Sequence, residues 1–130
     1  MKRDMDVIRG LMLKLEALPV NGHAILTVGP YDKEIAVAGA SVDQIAYHLG
    51  LLYNGGFLDS PGQPFLSGQI PFRGLSCVGH DLIDAIRDDD VWQKTKTQAE
   101  KFGSWTVDIL LAAAKAVVKA KFKAVTGLDI

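Results

Sequence analysis

The chain has 130 residues, 48% of them hydrophobic and 22% charged, with 14 basic against 15 acidic side chains and a single cysteine. That length suits one domain, or one domain with an extension, and buries roughly two-thirds of its unfolded surface without disulfide or metal staples. The composition argues against a disordered chain, a disulfide framework or cysteine-rich zinc module and, at net charge −1, any bulk attraction to nucleic acid or anionic membrane.

Charges at Lys2, Arg3, Asp4, Asp6 and Arg9 interrupt any signal-peptide core at the start of the sequence. Asp108 and Lys115 bound a charge-free run of six residues in the most apolar stretch. That is far short of the ~20 residues a spanning helix needs. With one unpaired thiol, the expectation is a cytoplasmic protein that does not enter a membrane.

A first helix is predicted over residues 3–18. Val7, Leu11, Met12, Leu15 and Leu18 recur at three- and four-residue steps, and Pro19 with Asn21-Gly22 ends the run. Ile25 to Val28 read as a short strand, stopped by Gly29-Pro30. Residues 31–40 are ambiguous between strand and weak helix. Ser41 and Gln44 have capping-box spacing, Ile45, Leu49 and Leu52 mark one face, and Asn54-Gly55-Gly56 offers left-handed residues, which predicts a helix over 42–54.

Phe57-Leu58 begins an exit strand, 59–69 form a hairpin loop rich in proline and glycine, and IPFRGLS returns. Helices are then predicted at 81–87, with Leu82, Ile83 and Ile86 inward, and at 90–102, ended by Gly103. A last helix, capped by Ser104 or Thr106, runs to about residue 125. The order is an α+β pattern: a winged-helix-like domain over residues 1–90 and a C-terminal amphipathic helical extension over 91–130. That extension is either part of the same compact unit or a dimerisation element. An ordinary winged helix has two consecutive helices before the wing, and here residues 31–40 would have to supply the first.

Three blocks, MKRDMDVIR, QIAYHLGLLYNGGFL and GLSCVGHDLIDAIRDDDVWQKTK, together resemble the family catalogued as domain of unknown function 2513. Small departures are Ser76 in place of threonine and Leu82-Ile83 in place of Phe-Leu. The resemblance implies a winged-helix character and phage or mobile-element biology. It implies no activity.

If 42–54 enters a DNA groove, the residues placed to touch DNA are Gln44, Tyr47, His48 and, on the hairpin, Arg73. The helix carries no Lys or Arg, and charge by segment runs against it. Residues 1–40 balance at five basic and five acidic, 41–90 hold Arg73 and Arg87 against seven aspartates, and 91–130 hold seven lysines against three acids. Binding phosphates needs a matching number of cations. The expected partner is therefore a protein, with duplex DNA as the alternative.

Asp81, Asp84, Asp88, Asp89 and Asp90 form an acidic block, read chiefly as structural, with Asp89 or Asp90 capping the next helix, Arg87 paired with a nearby acid and Asp81 in a first helical turn, and secondarily as metal ligands or a surface resembling nucleic acid. His80-Asp81 with His48 and Asp108 invites a metal-hydrolase reading. A dyad of that kind is common by chance, and His80 is expected beside Gly79 on a backbone carbonyl; Tyr47-His48 is read first as a half-buried pair in the helix packing rather than a catalytic base. Cys77 is expected as a small buried hydrophobe. No triad context, phosphate-cradling loop or dinucleotide fingerprint appears, so neither catalytic residues nor a cofactor or metal is expected.

Val107, Leu110, Leu111, Ala114, Val118, Phe122 and Val125 form an apolar stripe on the last helix, with Lys115, Lys119 and Lys123 along another line. The stripe either folds back on the chain or pairs with a second copy, and a surface membrane helix is the weakest reading. In the homodimer, Val107, Leu110, Leu111, Val118 and Phe122 are the interface candidates. Trp92 and Trp105 flank Gly103 as anchors of the extension. The function expected is a non-enzymatic accessory protein of phage or prophage type that binds a host or phage protein. The alternative is a dimeric winged-helix transcriptional regulator.

Overall fold

A computed structural model of the protein describes residues 1–103 and 106–130. It is a mixed α+β structure whose described residues form five α-helices and two small antiparallel sheets. Its contacts fall into two compact units, Met1–Asp81 and Leu82–Ile130. The division lies inside a helix, whereas the sequence placed it near residue 90.

In the first unit, α1 spans Met5–Glu16 and buries Met5, Val7, Ile8, Leu11, Met12 and Leu15 on one face. It begins two residues later than predicted because Asp4 is the cap: its carboxylate accepts from the Asp6 and Val7 amides. Strand β1 is Leu26–Val28. The ambiguous stretch resolves into a single 3-10 turn, Lys33–Ile35, that buries Ile35. Helix α2, Val42–Asn54, has the predicted ends. The Ser41 hydroxyl accepts from the Gln44 amide at 3.1 Å and the Gln44 side chain accepts from the Ser41 amide at 2.8 Å. Helix α1 packs against α2 and the 3-10 turn, and this apolar layer, with Leu49 and Leu52 of α2, is the core of the unit.

The predicted returning strand is two strands. β3 (Ile70–Phe72) pairs with β1, matching Leu26 to Phe72 and Val28 to Ile70, whereas β4 (Gly74–Leu75) pairs with β2 (Leu58–Asp59). Gly74, at φ 151°, lets the chain change partners.

Helix α3 spans Cys77–Ile86, starting four residues before the predicted 81. Gly79 reads as a breaker in the sequence but lies inside the helix, in its first turn. The Ser76 hydroxyl accepts from the Gly79 amide at 3.1 Å and donates to the Gly56 carbonyl at 2.6 Å. That serine both caps α3 and ties it to the end of α2.

In the second unit, α4 spans Asp89–Phe102 and α5 spans Val107–Thr126. The cap of α4 is Asp88, whose carboxylate accepts from the Val91 amide at 2.8 Å, and not Asp89 or Asp90 as predicted. Gly103, at φ 81°, ends α4 in the left-handed conformation. Thr106 caps α5. The other predicted cap, Ser104, and the second predicted anchor, Trp105, lie outside the described residues. The two helices pack antiparallel: Lys121, late in α5, lies 3.5 Å from Asp88 and 3.9 Å from Asp90 at the start of α4. Trp92, Thr95 and Ala99 of α4 and Leu110 and Ala114 of α5 are buried.

Candidate functional site

The predicted reading face belongs to α2 and the hairpin, both within the first unit. Ile45, Leu49 and Leu52 turn inward. The exposed positions of the helix are Val42, Asp43, Tyr47 and Asn54, with Ala46 and Gly50 partly exposed between them. This outward side carries one negative charge and no cation.

The four residues singled out for DNA contact have different fates. Gln44 is engaged at the helix start through its capping box. His48 is fully buried in the helix packing, which takes it off the outward side of α2. One ring nitrogen, Nδ1, lies 2.7 Å from the Gln44 carbonyl and the other, Nε2, accepts from the Asp4 amide at 2.8 Å. An acceptor Nε2 puts the ring proton on Nδ1, donating to that carbonyl. His48 thus fastens the start of α1 to α2. Tyr47 stacks edge-on against it, centroids 5.4 Å apart, and keeps 38% of its surface exposed. Arg73 donates through Nε and Nη2 to the two carboxylate oxygens of Asp59, each at 3.0 Å. This fork lowers the Asp59 pKa below the ordinary carboxylate range and raises that of Arg73, the hydrogen bond being the larger cause in each.

Sequence reasoning missed the tip of the hairpin. Residues 60–72 contain no charged side chain. The Phe65 amide donates to the Gln69 carbonyl at 2.8 Å and the Gly68 amide to the Phe65 carbonyl at 3.0 Å, closing a tight turn with Gly68 at φ 86°. That turn leaves Phe65 55% and Leu66 fully exposed, and Tyr31 is 81% exposed on the turn that follows β1. A Cβ on Gly68 would stand 3.6 Å from the Pro30 ring, so the two turns lie side by side. The signal was present in the sequence as two adjacent large apolar residues inside a loop rich in proline and glycine.

The remaining candidates lie apart from this surface or inside the chain. His80 and Asp81 are exposed on α3, so His80 does not pack beside Gly79 as expected. Cys77 is exposed as the first residue of α3, contrary to its expected burial. Among the described residues no group of three or more His, Cys, Asp or Glu side chains gathers as a metal site. In the acidic block, Asp84 pairs with Arg87 and Asp90 with Lys94. Of the five interface candidates on α5, Leu110 is buried and unavailable. Val107, Leu111 and Phe122 are half-buried, and Val118 is exposed. The apolar stripe is wider than the face α4 covers. No helix among the described residues is long and apolar enough to cross a membrane.

Comparison with known proteins places these features in a family. Residues 2–105 match the family described as hypothetical protein (DUF2513). The chain is similar to an uncharacterized protein of Haemophilus influenzae, 32% identical over 120 residues that cover 92% of this chain and 93% of that one. No solved structure matches. The chain belongs to the DUF2513 family.

Proposed function

We propose that this DUF2513 member is a non-enzymatic accessory protein of phage or prophage type, working in the cytoplasm by binding another protein through a winged-helix-like scaffold. The element order supports the scaffold reading: helix, strand, one 3-10 turn in place of a second helix, helix, then a hairpin. The observation that carries the functional reading is the character of the hairpin tip. A wing that grips a duplex carries cations for the phosphates. This one is charge-free over residues 60–72, offers Phe65 and Leu66 to solvent, and has Arg73 at its base committed to Asp59. Exposed aromatic and aliphatic anchors with little charge are what a protein interface uses at its centre.

The test is affinity capture from the native host with wild-type bait and with Phe65→Ser/Leu66→Ser bait, identifying protein and nucleic acid together. A protein retained by the first bait and lost from the second supports the reading. Capture that ignores the substitution, or a mobility shift of random duplex DNA at micromolar protein and low salt, refutes it. The second reading, a dimeric DNA-binding regulator, draws on the exposed Lys115 and Lys119 of α5 and on the uncovered Val118 and Val125 as a surface for a second copy. Light scattering that shows a 14 kDa species at high concentration removes its dimer.

A further inference from the structure

The β1/β3 ladder has a free side. In an antiparallel pair, residues alternate between exchanging hydrogen bonds with the residue opposite and turning their N–H and C=O the other way. Thr27 stands opposite Pro71, and proline has no amide to exchange. Leu26 and Val28 are therefore the bonded positions, and the Thr27 N–H and C=O point away from β3. No backbone or side-chain hydrogen bond to Thr27 occurs among the described residues outside that ladder. Two residues beyond Thr27, at the next outward position, Gly29 is closed: its amide donates to Asp32 Oδ2 at 2.8 Å and its carbonyl accepts from the Asp32 amide at 3.1 Å. The open edge thus ends at a defined point.

A recess of about 290 Å³ runs along β1, lined by Leu18, Pro19, Leu26, Val28 and Ile35, with Asp32 and Glu34 also lining it. No cation lines it. An unpaired strand edge beside an apolar recess is the arrangement that binds an extended peptide, main chain supplying affinity and the recess selecting a side chain. The two carboxylates set the charge of what enters.

We propose that the outer edge of β1 takes an extended peptide segment as an added strand, seating an aliphatic side chain in the recess and, two residues along on the same face, a lysine or arginine against Asp32 and Glu34. The peptide residue opposite Thr27 exchanges two hydrogen bonds with it, and Gly29 sets the register by closing the ladder. This surface shares no residue with the hairpin tip, so its failure leaves the reading of that tip standing.

The experiment uses the full chain, labelled with 15N, and a displayed library of random eight-residue peptides. The expected result is enrichment of Ile, Leu or Val two positions from Lys or Arg. The enriched peptide, made synthetically, shifts the Thr27 amide. Its affinity falls at least tenfold for Glu34→Lys, an exposed site that leaves the fold intact, and for Thr27→Pro, which removes the outward amide, while Thr27→Val retains it. The proposal is overturned by a library with no such enrichment, by binding that survives both Glu34→Lys and Thr27→Pro, or by equal binding when the peptide's basic residues are replaced with glutamate. It is also overturned if the Thr27 amide shifts with the concentration of the chain alone, because the edge would then serve a second copy.

Discussion

Three glycines sit inside helices of the first unit, and alanine at each meets a different neighbourhood. In a helix interior, alanine is favoured over glycine by about 1 kcal/mol where nothing obstructs it. At Gly50 of α2, a Cβ has nothing within 4 Å, so Gly50→Ala should stabilise by about 0.5–1 kcal/mol. At Gly79 of α3, the Cβ overlaps the Phe57 carbonyl oxygen, with the carbonyl carbon at 3.2 Å and Leu75 Cβ at 3.4 Å. That oxygen is main chain and already accepts from the Ser76 amide at 3.0 Å, so relief requires moving α3 off the end of α2. Overpacking of this kind costs about 1–3 kcal/mol, and with a backbone obstacle the upper half applies. The helix-propensity gain offsets part of it, leaving Gly79→Ala less stable by about 2 kcal/mol. At Gly10 of α1 the obstacle is a side-chain methyl, Val37 Cγ1 at 2.9 Å, which can turn aside, so Gly10→Ala should fall between the other two. Denaturant unfolding followed by far-UV circular dichroism, with amide exchange at Leu49 and Leu52, measures all three in one cooperative unit. A Gly79→Ala protein as stable as wild type, or an order other than Gly50, Gly10, Gly79 from most to least stable, refutes the account of why α3 begins where it does.

Further outcomes follow from single contacts. The Thr95 hydroxyl is buried on α4 without a hydrogen-bond partner among the described residues, so Thr95→Val should stabilise the second unit by about 1 kcal/mol, read by the fluorescence of buried Trp92 during unfolding. Removing the His48 ring leaves the Asp4 amide unpaired and opens a cavity. His48→Ala should destabilise by about 2–4 kcal/mol and speed amide exchange at the start of α1. The Asp88 pKa is lowered, chiefly by the Val91 amide and then by Lys121. A carboxyl whose folded pKa is depressed contributes stability above its unfolded pKa and loses it as pH falls through the folded one. Asp59, lowered by Arg73, acts in the same direction. Acid titration followed by NMR should show both midpoints below the ordinary aspartate value, and Arg73→Gln should raise that of Asp59.

The parts of the fold legible from sequence are those set by neighbours along the chain. Ser41 and Gln44 determine the start of α2 because capping is a contact between residues three apart, and Gly103 ends α4 because only glycine takes its φ of 81° at no cost. What stayed hidden depends on residues distant in sequence. Gly79 looks like an interruption until Phe57 is seen against it. His48 reads as half of a packing pair with Tyr47, but that it also holds the Asp4 amide, 44 residues away, is not legible. Arg73 looks like a free cation until Asp59 is placed opposite. The stripe on α5 correctly showed which residues are apolar but not how wide a face α4 would cover, since that width depends on the partner helix.

The change of partner at Arg73 bears on how the exposed tip behaves. Residues 60–69 are anchored behind by the rungs between β2 and β4 and ahead by those between β1 and β3. Neither ladder has to open for the intervening ten residues to adjust. Phe65 and Leu66 therefore ride on a short tethered arch, and the conformational freedom surrendered when they meet an opposing surface is confined to that arch, which favours tight contact over loose association.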